Sequence, residues 1–262
     1  MTRSAHTLHI RQCMAENPRT PPVTLTTLAA DTDVGMRCRV AANPNTPVDT
    51  MSALAADPDF RVRWRVAHNP NTPVDALTVL AHDTDATVRW YVAGNPTTCA
   101  ATLTSLATDA DNDVRRSVAA SPNTLVPILD MLAADTDTDV RWYVAGNPNT
   151  LVHTLTVLAA DADRVVRRVV AGHANTSTNT VHALTKDPVT AVAREAATTG
   201  RTNCLRRYAN TLTGNDRDQA LLLIETGFTG WPDDLATLLT NQLAITTAHH
   251  RNSHTITTTV RR

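Results

Sequence analysis

The chain has 262 residues, with 24 basic and 25 acidic side chains, so its net charge of −1 provides no bulk attraction for nucleic acid. Hydrophobic residues make up 42 % of the sequence and aromatic residues only 3 %, a composition typical of a soluble protein. No apolar run approaches the roughly 18 residues that cross a bilayer, so we expect a cytoplasmic protein without a membrane segment. The four cysteines are scattered without metal-ligand spacing, and we predict free thiols and no metal or cofactor.

A repeat organises about three quarters of the sequence. Prolines recur in steps of 26 residues (44 − 18 = 26), and Thr, Leu, Asp, Arg and Ala positions follow the same step without insertions over residues 10–197. The prolines are Pro18, Pro44, Pro70, Pro96, Pro122 and Pro148. A fixed period of this length indicates stacked supersecondary units.

The first element of each unit is predicted to be a helix. In the unit that follows Asn69, Thr72 is expected as the N-cap and Pro73 as the first helical residue, since both residue types are favoured there. The helix is expected to run through about Ala81, with Leu77 and Leu80 on one face.

The second element is predicted to be a short helix over residues 86–93. Asp85 can cap its start, and Asn95 ends it because a residue before proline is disfavoured in the α region. A helix of about two turns leaves a partly 3₁₀ conformation open. Neither helix can bury its apolar face alone, so the pattern predicts an all-α solenoid.

The C-terminal segment departs from the repeat after Ala197. Residues 202–212, 216–227 and 231–245 are predicted as helices that cap the last repeat. We therefore expect a solenoid of about seven repeats over residues 1–197, a helical cap over 198–245 and a disordered polar tail over 246–262. His249, His250 and His254 in this tail are expected to be solvated rather than to bind metal.

The stretch VRWRVAHNPNTPVDALTVLAHDTD (residues 62–85) resembles the leucine-rich repeat variant family, within the wider HEAT-like superfamily. The resemblance implies a right-handed superhelix that alternates an α-helix with a 3₁₀ or short helix. One member of the family carries an iron–sulfur cluster on an N-terminal cysteine group. That cysteine group is missing here, so the cluster is not expected.

Two ladders of charge follow the repeat. On a helical wheel Arg63 lies between the core residues Val66 and Ala67, where a cation needs a partner. The Asp six residues earlier in the same loop offers one partner, and the Asp of the following repeat offers another. The resemblance to HEAT repeats implies ties between repeats, and this pairing leaves no member unmatched, so we favour it. A ligand-binding role for the arginines remains the alternative. The ladders consist of Arg11, Arg37, Arg63, Arg89, Arg115, Arg141 and Arg167, and of Asp31, Asp57, Asp83, Asp109, Asp135, Asp161 and Asp187. The Asn of the NPNT turns is also predicted to be structural, bonding nearby backbone.

Aromatic and basic residues share the exposed side of the second helices. We call this set the second-helix stripe: Arg39, Arg61, Trp64, Arg65, Trp90, Tyr91, Arg116, Trp142, Tyr143 and Arg168. Exposed aromatics in register are typical of an interaction surface. The alternative is a packing ladder, in which Trp90, Arg116, Trp142 and Arg168 alternate and stack by cation–π contacts.

These patterns favour a non-enzymatic scaffold that binds a macromolecule, protein or nucleic acid, through the stripe. No common catalytic or nucleotide-binding motif is present, so an enzyme is not expected. One alternative is an enzyme resembling the HEAT-like alkylpurine DNA glycosylases, which use aromatics and an acid in a concave groove. Asp113 and Asp139 would then be the acid candidates. Another alternative is a purely structural spacer.

Overall fold

The computed structural model describes residues 3–240, and every regular element in this range is helical. The chain forms two compact units, which meet in sequence between Thr150 and Leu151. The first unit contains α1 (Arg3–Glu16), α2 (Pro22–Leu28), α3 (Val34–Ala42), α4 (Val48–Leu54), α5 (Phe60–His68), α6 (Val74–Leu80), α7 (Ala86–Gly94), α8 (Ala100–Leu106), α9 (Asn112–Ala120), α10 (Val126–Leu132) and α11 (Thr138–Gly146).

The second unit continues the pattern and then departs from it. It contains α12 (Val152–Leu158), α13 (Arg164–Gly172), α14 (Thr178–Leu184), α15 (Thr190–Glu195), a π-helical turn (Ala196–Gly200), α16 (Arg201–Thr211) and α17 (Gly214–Glu225), and residues 232–240 are also helical. The predicted all-α repeat fold is therefore confirmed, while the handedness of a superhelix stays a prediction. No helix among the described residues is both long and apolar enough to cross a bilayer.

The second helix of a repeat is α-helical, so a 3₁₀ conformation is not adopted there, and in the pairs from α2–α3 to α12–α13 it is the longer helix. Helix α7 has nine residues, whereas α6 has seven. The Asp85 side chain accepts a hydrogen bond from the Thr87 N–H and caps the start of α7. Asn95 has extended backbone angles before the proline and ends the helix, as the sequence predicts.

The first helix begins later than predicted, because Thr72 has another role. Pro73 occupies the N-cap position of α6, and the Thr72 side chain forms no cap. Its buried hydroxyl instead donates to the Val66 carbonyl at 2.5 Å, in the last turn of α5. The Val66 carbonyl also accepts the Asn69 N–H at 3.0 Å, so the Thr72 hydroxyl adds a second bond at the end of α5. The same bond recurs from Thr46, Thr98, Thr124, Thr150 and Thr176.

The core of each unit forms from the same few positions in every repeat. Helices α5, α7, α9, α11 and α13 each bury two valines and an alanine, as Val88, Val92 and Ala93 do in α7. Most first helices bury a leucine pair, as Leu77 and Leu80 do in α6, and Met51 or Val181 replaces one leucine in α4 or α14. In the first unit the second helices α3, α5, α7, α9 and α11 pack side by side in one continuous layer. The stripe residues of the first unit lie on the side of this layer opposite its buried valines and alanines.

Buried asparagines tie each turn to the preceding repeat. The Asn69 side-chain amide donates to the carbonyls of Ala41 at 2.9 Å and Asn43 at 3.0 Å, and its oxygen accepts from the Asn71 N–H. The predicted bond to nearby backbone is therefore present, but the two bonds to the previous repeat are additional. Asn43, Asn95 and Asn147 repeat this arrangement.

The end of the described chain packs closely against the last repeat. Helix α15 continues through the π-helical turn into α16, where a Cβ on Gly200 would overlap the carbonyl oxygen of Ala171. The helices then form their own small core of Leu205, Ala209, Ala220, Ile224, Leu235 and Leu239. The predicted helices over 202–212 and 216–227 are observed with shifted bounds. The end of the third predicted helix and the tail, residues 246–262 with their three histidines, lie outside the described residues.

Candidate binding face of the second helices

Several aromatic side chains of the stripe are exposed to solvent. Trp90 on α7 is 40 % exposed, and Trp142 and Tyr143 on α11 are 36 % and 38 % exposed. Each Trp packs edge-to-face with its neighbouring Tyr, with ring centroids 4.6 Å apart for Trp90 and Tyr91 and 4.7 Å apart for Trp142 and Tyr143. The same edge-to-face pair is thus presented twice, on helices two repeats apart.

Trp64 lies in a packed aromatic group on the same face. Its ring stacks on Tyr91 of the next repeat, with centroids 4.9 Å apart and planes 19° apart. The Arg65 guanidinium lies over the Trp64 ring, 4.0 Å from its centroid. His68 and Tyr91 form an edge-to-face contact with ring centroids 5.1 Å apart. These contacts make this end of the stripe a preformed aromatic surface with a cation already stacked on it.

Arg116 lies between the two aromatic pairs and is held by carboxylates. Its guanidinium is 2.8 Å from Asp113, 3.0 Å from Asp137 and 3.1 Å from Asp139. The hydrogen bond from Arg116 holds the pKa of Asp137 well below its usual range. The alternation of cation and aromatic ring proposed for packing is therefore not formed at Arg116, because nearer carboxylates satisfy its charge.

Two further stripe arginines in the first unit are also paired. Arg39 lies 2.7 Å from Glu16, and Arg61 lies 2.7 Å from Asp59 at the start of α5. Their positive charges are therefore matched locally. Arg168, on α13 of the second unit, is exposed.

A surface recess of about 410 Å³ adjoins Arg39 and Arg65, and Cys38 lines it. Burial raises the pKa of the Cys38 thiol, which therefore favours the protonated form. A nucleophilic cysteine needs a lowered pKa, so this recess lacks the main requirement for thiol chemistry.

The Arg and Asp ladders form ties between neighbouring repeats. Arg63 Nε lies 2.5 Å from Oδ2 of Asp83 in the following repeat, and its Nη1 donates at 2.8 Å to the carbonyl of Asp57, six residues earlier. The earlier Asp thus contributes its backbone, and the later Asp contributes its carboxylate. Equivalent ion pairs of 2.6–2.7 Å join Arg11 to Asp31, Arg37 to Asp57, Arg89 to Asp109, Arg115 to Asp135 and Arg167 to Asp187. Arg141 donates to the Asp135 carbonyl at 2.8 Å, and its pairing with Asp161 in the second unit stays a prediction.

The two acid candidates of the glycosylase alternative are both engaged. Asp113 and Asp139 each pair with Arg116, and each is more than 60 % exposed. Neither is a lone carboxylate enclosed by aromatic rings, the arrangement that would favour that alternative. Among the described residues, no group of three or more His, Cys, Asp or Glu could hold a metal ion.

Comparison with known proteins agrees with this architecture. No family model and no curated protein matches the chain by sequence. Among solved structures, a leucine-rich repeat variant described as a novel repetitive structural motif is 28 % identical with a TM-score of 0.56. The match covers 74 % of this chain and 82 % of that one. An archaeal HEAT-like repeats protein from Thermococcus onnurineus NA1 is 13 % identical over 74 % of this chain and 90 % of its own, with a TM-score of 0.35. The 26-residue helix pairs and the match to a solved variant together confirm the resemblance of this chain to the leucine-rich repeat variant family.

Proposed function

We propose that the chain is a non-enzymatic repeat scaffold that binds a segment of a protein partner through the second-helix stripe of its first unit. The observation that carries this proposal is the pair of aromatic couples, Trp90 with Tyr91 and Trp142 with Tyr143, on one face of one helix layer. Trp90, Trp142 and Tyr143 are exposed, and Tyr91 is half-buried. Large aromatic side chains left partly exposed are enriched at protein interfaces, where they anchor binding.

The charge of the stripe favours protein over nucleic acid. Binding to nucleic acid draws its affinity from unpaired cations that replace counterions on phosphates. Here Arg39, Arg61 and Arg116 already face carboxylates at 2.7–3.1 Å, and Arg65 lies over a ring. A phosphate backbone would have to compete with each of these acids.

The proposal predicts that the exposed aromatics contribute to binding more than to stability. Replacing Trp142 and Tyr143 together by Ala should abolish capture of the partner from nuclease-treated lysate, while the unfolding temperature changes little. The matched control replaces Val79 and Met131 by Ala. These residues are also two repeats apart and are 65 % and 43 % exposed, but they lie on the first helices.

The control variant should capture the partner as the parent does. If the free energy of unfolding of the Trp142 and Tyr143 variant falls by several kcal/mol and the variant still captures the partner, these aromatics only pack and the proposal fails. If capture in untreated lysate disappears with nuclease, the partner is nucleic acid and the protein assignment is wrong.

A further inference from the structure

We infer that the partner segment is basic, with a Lys or Arg side chain that enters the acidic part of the stripe between the two aromatic couples. This inference rests on the proposed function and specifies the chemistry of the partner. It starts from an imbalance of charge at the centre of the stripe.

The centre of the stripe holds more acid than base. Three carboxylates, from Asp113, Asp137 and Asp139, surround the single guanidinium of Arg116, so this group of four side chains has a formal charge of −2 (1 − 3 = −2). Asp137 is the least exposed of the three, and it is also the N-cap of α11 and accepts from Asn112. Asp113 and Asp139 are 64 % and 62 % exposed, so both present oxygens to solvent beside Arg116. A second cation from a partner would complete this arrangement.

The aromatic couples suit the same chemistry. Trp90 and Trp142 flank the acidic centre, and an exposed indole face attracts cations through its quadrupole. The stripe already contains one example of such a contact, since the Arg65 guanidinium lies 4.0 Å from the centroid of the Trp64 ring. The surface therefore offers both carboxylates and rings to a basic side chain, whereas an acidic side chain would meet repulsion from Asp113 and Asp139.

The spacing of the couples sets the length of the segment. Helices α7 and α11 are separated by one helix, α9, and packed helices lie about 10 Å apart, so the couples are about 20 Å apart. An extended chain rises about 3.3 Å per residue, so about six residues bridge the two couples. Asp113 is on α9, in the middle of this span, and Asp139 is on α11, so the cation that meets both should lie between the middle of the span and the second couple.

The test uses a fluorescent peptide of about nine residues that alternates Lys and Leu, a length that spans the couples with one or two residues to spare at each end. A peptide that alternates Glu and Leu and a single-stranded oligonucleotide serve as the opposite probes. Each is titrated against the full chain and against a variant with Asp113→Asn and Asp139→Asn. The matched control variant carries Asp49→Asn and Asp75→Asn, which removes the same charge from exposed first-turn positions on the first helices.

We expect the Lys peptide to bind the parent and the control alike, and to bind the Asp113 and Asp139 variant about tenfold more weakly. Equal binding to all three proteins would overturn the inference, as would equal weakening in both variants. Failure of every probe would overturn it as well.

The proposed function can survive such a failure. The Glu peptide or the oligonucleotide could bind more tightly than the Lys peptide, and this binding could be lost when Trp142 and Tyr143 are replaced by Ala. That result would reject a basic partner but keep the stripe as a binding face. Binding of the Lys peptide that depends on Asp113 and Asp139 but not on Trp142 and Tyr143 would keep the acidic contact and remove the aromatic anchor.

Discussion

Arg89 and Asp109 join two repeats across twenty residues of chain. The Nε atom of Arg89 lies 2.6 Å from Oδ2 of Asp109, and the second guanidinium contact, from Nη2 to Oδ1, measures 2.9 Å. Nη1 of the same side chain donates at 2.7 Å to the carbonyl of Asp83 in its own loop. One guanidinium therefore fixes both the loop of its own repeat and the position of the next. Two-point contact with a carboxylate is the strongest geometry for such a pair.

Loss of one ladder arginine should destabilise the fold. Arg115→Ala would leave the carboxylate of Asp135, which is only 8 % exposed, without its cation. We expect the free energy of unfolding to fall by about 3 kcal/mol, because an unpaired carboxylate then remains partly buried. Urea unfolding provides the measurement, and Arg61→Ala, which breaks an exposed pair with Asp59, is the control and should change little. Equal stability of Arg115→Ala and the parent would mean that the ladder is not structural.

Ser121→Asn should stabilise the first unit. Ser121 occupies the position at which neighbouring repeats carry a buried Asn, and its hydroxyl accepts from the Asn123 N–H only at a long 3.4 Å. By the offsets of Asn69 and Asn95, an Asn amide at this position would reach the carbonyls of Ala93 and Asn95 (121 − 28 = 93 and 121 − 26 = 95). Each added bond contributes about 1 kcal/mol.

The opposite change provides the comparison for Ser121→Asn. Asn95→Ser should lower the unfolding free energy by about 1–3 kcal/mol, because it removes the donor to two buried carbonyls. Thermal unfolding of both variants against the parent gives the result. A Ser121→Asn variant less stable than the parent would show that this turn cannot accommodate the amide.

Acid should weaken the ladder. The hydrogen bond from Arg167 lowers the pKa of Asp187. At Asp135 burial acts to raise the pKa, but the hydrogen bonds from Arg115 and from the Asp137 N–H outweigh it, so the pKa of Asp135 is also lowered. A carboxyl whose pKa is lower in the folded state binds protons more readily when unfolded. Its contribution to stability is therefore complete above the unfolded value and is lost as the pH falls through the folded value.

We accordingly expect the free energy of unfolding to be nearly constant above about pH 5 and to decline below about pH 4. Urea midpoints measured at several pH values give the slope for the parent. An Asp135→Asn variant lacks one of the titrating carboxyls, so the decline of its unfolding free energy below about pH 4 should be less steep. An unchanged slope would exclude Asp135 as a contributor.

The turn after α15 should not accept a side chain at Gly200. A Cβ there would overlap the Ala171 carbonyl oxygen and lie 3.1 Å from Val181, so Gly200→Ala must shift backbone and should cost about 1–3 kcal/mol or more. Gly94→Ala is the control, because its Cβ would meet only the Ser117 hydroxyl at 3.2 Å and Ala favours the helix. Circular dichroism melts of the two variants should therefore diverge. Similar melting temperatures would indicate that the backbone near Gly200 adjusts without cost.

Much of the fold could be predicted because the period repeats local signals many times. The positions of Asp85 and Asn95 set the ends of α7 correctly, since caps and residues before proline act over a few residues. The predicted start of α6 was wrong by one residue, because the Thr72 hydroxyl donates a hydrogen bond to the preceding helix instead of capping the next one. That preference depends on burial against Val66, which a local motif does not reveal.

The candidate site could be predicted in its positions but not in its electrostatics. A helical wheel placed Trp90 and Trp142 on the exposed side, and their exposure agrees. The wheel did not show that Arg116 meets Asp137 and Asp139, since those acids belong to the next repeat. The ladder arginines pair with the following repeat, and this regularity predicts an acidic partner for Arg116 about 21 residues ahead (137 − 116 = 21).

The buried asparagine bonds also fix the number of residues in each repeat. The amide of Asn69 reaches carbonyls 26 and 28 residues earlier, and Asn95 uses the same two offsets. A duplication of 26 residues preserves both offsets, so copy number can change without new packing chemistry. A duplication of 25 or 27 residues changes the offset between donor and carbonyl at the junction of the two copies. The asparagine turns therefore favour changes in length by whole repeats.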